Sequence, residues 1–448
     1  MRYLPHTDQE IRAMLARIGV QEIDDLFEAV PGPYRVEAQL DLEPALDEPR
    51  LMQHLTALSD QNPGSRMLSF LGAGMYRHHV PPAVDQLLQR SEFYTAYTPY
   101  QAELSQGTLQ AVFEFQTIVC ELLGTDVANA SMYDCASAVA EAVLMARRIK
   151  RRQRILISDA LHPEYIDTVR SYIQGLDDGT VIDLAPVGSD GRTDWSGAPA
   201  SHEDVAAVIV GYPNFFGCVE DLDAAKRAAE SRGALLIAAT SEPYALSLLD
   251  PPGARGADIC VAEGQALAVP PQYGGPGVGL FGASQAFVRQ MPGRLVGRTV
   301  DVNGQPGYVL TLSTREQHIR REKATSNICT NHGLIALAMG MRTAMLGKRG
   351  FLEVGQRCLD AAHYFRAGAE ALEGVSVPYD APVFNEQVIR FSSTTAADVV
   401  RRLTDDGILA GVDLGKFRDA WRHDLLVAVT ELHTRDDIDR LLEALAAT

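Results

Sequence analysis

Val205-Ala206-Ala207-Val208-Ile209-Val210 is an unbroken apolar run of strand length, bounded by Asp204 and Gly211. Similar runs lie on either side of it. Ile155-Leu156-Ile157 comes before, Leu235-Leu236-Ile237 and the run from Val278 to Phe281 come after, and helical stretches separate them between Ala128 and Ser284. That alternation predicts a mostly parallel sheet, doubly wound, with helices on both faces. Past about Ser326, helices over 333–346 and 354–372 lead to short strands at 387–391 and 425–429, an α+β tail. Upstream, Thr7 and Glu10 have capping-box spacing ahead of Ile11, Met14, Leu15 and Ile18, which predicts a first amphipathic helix. Residues 30–50 carry Pro31, Pro33, Pro44 and Pro49 among acids and read as an extended surface crossing. The expected division is an N-terminal helical arm and linker over 1–65, a large α/β domain over 66–325, and a small α+β domain over 326–448.

Composition narrows the function classes. The chain has 448 residues, 46% hydrophobic and 22% charged, enough for one large core and a smaller domain. Its net charge of -18 argues against nucleic acid, whose phosphates call for a basic face. No apolar run approaches the roughly 18 to 20 residues needed to span a bilayer, and Met1-Arg2-Tyr3 opens into polar sequence, so no membrane association is expected and the cytoplasm is the expected compartment. The six cysteines, Cys120, Cys135, Cys218, Cys260, Cys329 and Cys358, lack paired spacing and read as reduced thiols. No metal site is expected from them.

Between Tyr94 and Thr117 the chain reads YTAYTPYQAELSQGTLQAVFEFQT. Tyr94, Tyr97 and Tyr100 recur at every third position around Thr98-Pro99, and Pro99 keeps Thr98 out of the helical region. The spacing predicts three phenols on one side of an ordered loop. From Gly107 onward Leu109, Val112, Phe113, Val119, Leu122 and Leu123 follow helical spacing, so a core-bound helix follows.

This loop and helix, with FLGAGMYRHHVPP at 70–82, ANASMYDCASAVAEA at 128–142, GGPGVG at 274–279 and REQHIRREKATSNICTN at 315–331, resemble the amino-terminal half of the P-protein (glycine decarboxylase) of the glycine cleavage system. They resemble that family's separate first subunit more closely. The resemblance spans most of the chain. It implies a fold-type-I pyridoxal-phosphate architecture, a large doubly wound domain followed by a small α+β domain.

Pyridoxal phosphate needs a Schiff-base lysine, an acid against its pyridine nitrogen, and backbone amides at a helix N-terminus for its phosphate. The only lysines are Lys150, Lys226, Lys323, Lys348 and Lys416. By the resemblance, Gln265 stands where the active half has its lysine, and Ala239 stands where it has an aspartate. Asp134 begins the helix that would receive the phosphate; a carboxylate there caps the helix and repels an anion. His162 matches the position that stacks on the cofactor ring and, with no ring expected, reads as structural. The resemblance therefore implies a copy that binds no cofactor of its own, with pyridoxal phosphate carried by a partner, glycine dehydrogenase subunit 2.

The same resemblance implies contributions to that partner's site from Tyr94, Tyr97 and Tyr100, and from Thr325, Ser326 and Asn327 near the partner's cofactor phosphate. The whole would decarboxylate glycine and pass the aminomethyl group to the lipoyl group of H-protein, a transient partner. The alternatives are a self-sufficient pyridoxal enzyme using another lysine and a purely structural scaffold.

Three further features read blandly. His78 and His79 are adjacent, so in a strand they face opposite ways and do not share a metal; an ordered surface or interface loop is expected there. Gly274 to Gly279 is followed by a strand, where a dinucleotide fingerprint needs a helix, and reads as a turn. Arg147, Arg148, Lys150, Arg151, Arg152 and Arg154 end a helix, where cations suit the macrodipole and stand in solvent, with an acidic docking partner as the other reading.

Overall fold

The structure, a computed structural model, describes residues 5–35, 41–176, 179–199 and 204–447. The chain divides into two units, Met1–Pro63 and Gly64–Thr448, so the expected boundary at 325/326 falls inside the second.

In the first unit, α1 (Asp8–Ile18) starts at the predicted capping box: Thr7 accepts from the Glu10 amide, and the Glu10 carboxylate accepts from the Thr7 amide at 2.7 Å. Gly19, at φ 96°, ends it in the left-handed conformation that glycine tolerates. Leu15 is the only side chain of the stripe that is buried. The extended reading of 30–50 needs correction. Gly32–Tyr34 is a 3-10 turn, residues 36–40 lie outside the described residues, and α2 (Glu48–Asp60) begins before the reading ends. Asp47 caps that helix by accepting from the Arg50 amide at 3.0 Å, and Pro49 sits in its first turn, where a missing N–H costs nothing.

The second unit opens with a segment that reaches α3 (Gln106–Leu123) and β1 (Val127–Ala128). The alternating region follows: α4 (Cys135–Lys150), β2 (Arg154–Ser158), α5 (Pro163–Gln174), β3 (Val181–Ala185), β4 (Val205–Gly211), α6 (Leu222–Glu230), β5 (Leu235–Thr240), β6 (Ile259–Glu263) and β7 (Gly279–Ala283). They form one sheet in the order β1-β7-β6-β5-β4-β2-β3. β2 to β6 are mutually parallel and β7 runs antiparallel to both neighbours, which confirms the mostly parallel, doubly wound fold class.

Period-two alternation sorts the strand residues between two faces. Val208, Val210, Leu236, Ala238, Cys260 and Leu280 pack with Phe115, Val119 and Leu123 of α3 and with α6. Ala207, Ile209, Ile237, Ala239, Val261 and Phe281 pack with α4 and α5. Each large apolar side chain so buried contributes roughly 1.5–3 kcal/mol. The sheet's order reverses between β2 and β4, so ligand chemistry is expected beyond the carboxyl ends of the strands. His162, Tyr212 and Gln265 follow such ends, and Thr240 closes one.

The tail begins with α7 (Gly333–Glu370), which Gly347 interrupts with non-helical angles of φ 61° and ψ 175°. It leads into an antiparallel four-stranded sheet ordered 375–376, 386–391, 424–428 and 412–413. Residues 68–70 pair with this sheet's surroundings: Phe70 donates to the Leu409 carbonyl at 2.8 Å and accepts from the Ala428 amide at 3.0 Å.

Candidate functional site

The turn that carries Gln265 meets Asp134 at the start of α4. Asp134 caps it, accepting from the Ser137 amide at 2.7 Å while its own amide donates to the Ser137 hydroxyl at 3.2 Å. A second carboxylate joins it. Glu263, at the end of β6, accepts from the Cys135 amide at 2.9 Å through Oε2, and from the Gln265 and Val278 amides, both at 3.0 Å, through Oε1. The positive end of the helix is thus filled from inside the chain. Burial pushes the Glu263 carboxyl up to about 7, while the three amides hold it down and the charge of Asp134 adds to the rise. Gly279, at the start of β7, makes the fit possible, because a Cβ there would collide with the Asp134 carbonyl oxygen.

Gln265 is buried and turns its amide onto the Val269 carbonyl of its own turn. Ala239 is buried on the α4 face of the sheet. His162 caps α5, its Nδ1 accepting from the Glu164 amide at 3.2 Å and its Nε2 donating to the Ala73 carbonyl at 2.8 Å, a pairing that fits the neutral ring. Burial lowers its pKa, although the Ala73 contact opposes this. It stacks on Tyr165 with centroids 4.7 Å apart. These residues do not fit pyridoxal phosphate: there is no amine at 265, no acid at 239, and two carboxylates occupy the amides that a phosphate would use.

The tyrosine loop is exposed. Tyr94, Tyr97 and Tyr100 are 67%, 77% and 74% accessible, so none fills a core within this chain. Tyr94 closes a single helical turn, Ser91–Tyr94, and of the three only Tyr97 lines the cavity of about 290 Å³ beneath the loop. Phe93, Val112 and Phe115 give that cavity apolar walls, and Arg294 and Thr330 also line it. Arg294 is buried. It reaches Thr98 Oγ1 at 3.4 Å and Cys329 Sγ at 3.9 Å, and forms a 3.5 Å ion pair with Glu316 that lacks hydrogen-bond alignment at Nε. One guanidinium therefore joins the loop to the 320–331 segment.

Thr325, Ser326 and Asn327 line a different cavity, of about 450 Å³, with Glu141 and Arg321. The Thr325 amide donates to the Arg315 carbonyl at 2.9 Å, and Ser326 Oγ accepts from the Ile328 amide at 3.1 Å. Burial raises the pKa of Glu141, against the Ser326 hydroxyl that lowers it.

Two bland readings are corrected. His78 is not in a surface loop: it is buried between Glu242 and Glu431, at 2.9 and 2.6 Å, while His79 points away and only its amide takes part. Three cations of the basic run have partners inside the chain. Arg152 donates to the Val205 and Arg232 carbonyls, Arg154 pairs with Asp183 at 2.6 Å, and Arg148 donates to the Gln290 carbonyl. Glu263 and Arg294 had no assigned role in the sequence. The available signal for Glu263 was a carboxylate ending an apolar strand just before Gly264.

The glycine cleavage system P-protein family matches residues 1–445. A relative from Sorangium cellulosum named "Probable glycine dehydrogenase (decarboxylating) subunit 1" is 55% identical over 450 residues, covering 100% of this chain and 99% of its own length. Among solved structures, an inhibitor-bound glycine decarboxylase (P-protein) of the glycine cleavage system superposes with a TM-score of 0.92 at 43% identity, over 100% of both chains. A sphingosine-1-phosphate lyase from Burkholderia pseudomallei shares the fold alone, with a TM-score of 0.65 at 14% identity over 93% of each chain.

Proposed function

The chain belongs to the glycine cleavage system P-protein family, and from that premise we propose that it serves as subunit 1 of a two-subunit glycine dehydrogenase (decarboxylating), completing an active site whose pyridoxal phosphate and Schiff-base lysine reside on the second subunit. The observation that carries this reading is the closed start of α4, where Glu263 and Asp134 take the amides and Gln265 offers no amine. Catalytic capacity then has to come from a partner.

What this chain supplies is a wall. Tyr97 and Tyr100 present phenolic hydroxyls on an exposed loop that α3 anchors: Gln106 donates to the Ala102 and Tyr308 carbonyls and accepts from the Tyr308 amide. Such rigid rings with polar tips suit the positioning of a small amino acid and the exclusion of water. Thr325, Ser326 and Asn327 bring hydroxyls and an amide to the partner's phosphate, and Arg294 holds the two segments in one arrangement. The aminomethyl group leaves to the lipoyl arm of H-protein, a transient visitor. Among the described residues no helix is long and apolar enough to cross a membrane, and the proposed compartment is the cytoplasm.

Spectral titration tests the division of labour. The isolated chain should show no Schiff-base band with added pyridoxal phosphate, whereas its complex with the second subunit should. A band in the isolated chain that vanishes on replacing one of its five lysines would refute the reading and favour a self-sufficient enzyme.

A further inference from the structure

His78, Cys358 and Glu431 come from three distant parts of the chain and bring one nitrogen, one sulfur and one oxygen within 4.8 Å of one another. His78 Nδ1 lies 2.6 Å from Glu431 Oε2, and Cys358 Sγ lies 3.6 Å from the same oxygen. The His78 side chain and Cys358 are fully buried, and Glu431 is nearly so. The opposite ring nitrogen of His78 meets Glu242 Oε2 at 2.9 Å, and Asn385 donates to that same oxygen at 3.2 Å. The second oxygen of Glu431 accepts from the His79 amide at 2.8 Å. The Tyr244 ring covers the imidazole at 4.4 Å.

An imidazole with one nitrogen turned to a thiol and a carboxylate, and the other held by a further carboxylate, has the layout that orients metal-bound histidines. We propose that His78, Cys358 and Glu431 bind a divalent ion of the zinc class, with Glu242 fixing the imidazole from behind.

The ligand set suits the ion. One imidazole, one thiolate and one carboxylate match a borderline-soft cation that takes nitrogen, sulfur and oxygen together. The spacing is close as well. With bonds of about 2.0 Å to nitrogen and oxygen and about 2.3 Å to sulfur, tetrahedral ligand atoms stand about 3.3–3.6 Å apart. The Cys358–Glu431 separation is already of that size, and the His78–Glu431 contact needs to open by about 0.7 Å. Three protein ligands leave the fourth position to water or a carboxylate oxygen.

The site would tie together the segment entering from residue 70, the loop after β5, helix α7 and the turn after the strand at 424–428. It is independent of how the active site is divided between subunits.

The test uses the full chain purified with zinc and without chelators. Elemental analysis should find one zinc per chain, and removal by chelator should lower Tm by several degrees. Cobalt substitution should give a thiolate charge-transfer band. Cys358→Ser should abolish all three signals, and in chelator its Tm should match that of the chelated parent, which separates loss of the ion from loss of the fold. His78→Gln should lose retention as well. A parent that keeps no zinc and shows no Tm response would overturn the proposal and leave a histidine held between two carboxylates. Zinc retained equally by Cys358→Ser and His78→Gln would overturn it too, by placing the ion elsewhere.

Discussion

Glu263→Gln removes one ionisable group from the closed start of α4, and its effect on stability should depend on pH in a direction the structure sets. Burial pushes the Glu263 carboxyl up to about 7 from an ordinary 4.5, with the amides of Val278, Cys135 and Gln265 opposing the shift and the charge of Asp134 adding to it. The folded chain thus keeps a proton that the unfolded chain gives up at lower pH. The stability this contributes is fully present below about 4.5 and is lost as pH rises through about 7. At about 1.4 kcal/mol per pH unit, that displacement is worth about 3 kcal/mol, of which between about 2 and 3 kcal/mol falls between pH 5 and pH 8. Cys135 and Tyr165, which face Glu263, are both pushed well up by burial and stay neutral across the window.

Glutamine also costs something at every pH, because its NH2 must face a backbone donor; roughly 1–3 kcal/mol is expected for that mismatch. Comparing two pH values cancels this fixed cost. In urea unfolding, the deficit of the variant relative to its parent should be between about 2 and 3 kcal/mol smaller at pH 8 than at pH 5. Equal deficits at both pH values would refute the view of Glu263 as a carboxyl whose charge the fold resists.

Two further outcomes bear on function. In a complex matched for subunit content, Tyr97→Phe or Tyr100→Phe should slow glycine turnover by about tenfold or more with assembly unchanged, since a hydrogen bond to a charged group is worth roughly 1.5–3 kcal/mol; unchanged turnover in both, read by steady-state kinetics, would return the loop to a structural role. Gln265→Lys restores an amine but leaves Ala239, Asp134 and Glu263 in place, so the variant chain alone should not release carbon dioxide from labelled glycine, and measurable release would show the pocket to be nearly intact.

The readable parts of the chain were those governed by local rules. The apolar runs became β2, β4, β5 and β7; the Thr7–Glu10 pair became a capping box; and Asp134 capped the helix it preceded, because each needs only neighbours within a few residues. Pro49 misled for the opposite reason. Read as a mark of extended chain, it sits in the first turn of α2 behind Asp47, a position where proline is welcome. The features that no local pattern disclosed depend on distant pairing. Glu263 acts on Cys135 across 128 positions, and His78 meets Glu431 across 353. Arg294 reaches back 196 positions to Thr98. Periodicity carries no trace of such meetings, because the same glutamate or histidine on the same strand or loop would have looked solvated.

A protein that binds its cofactor at a helix N-terminus draws part of its stability from mass action, gaining more as the free ligand rises above its dissociation constant. On the proposed reading, the Glu263 carboxyl ends that dependence. Being covalently part of the chain, it occupies the Cys135 amide at unchanging effective concentration, so the thermal stability of this subunit should be indifferent to how much vitamin-derived cofactor the cell contains. On the division of labour proposed above, such a chain is made, folded and stored through cofactor scarcity, and nutritional supply limits activity through its partner.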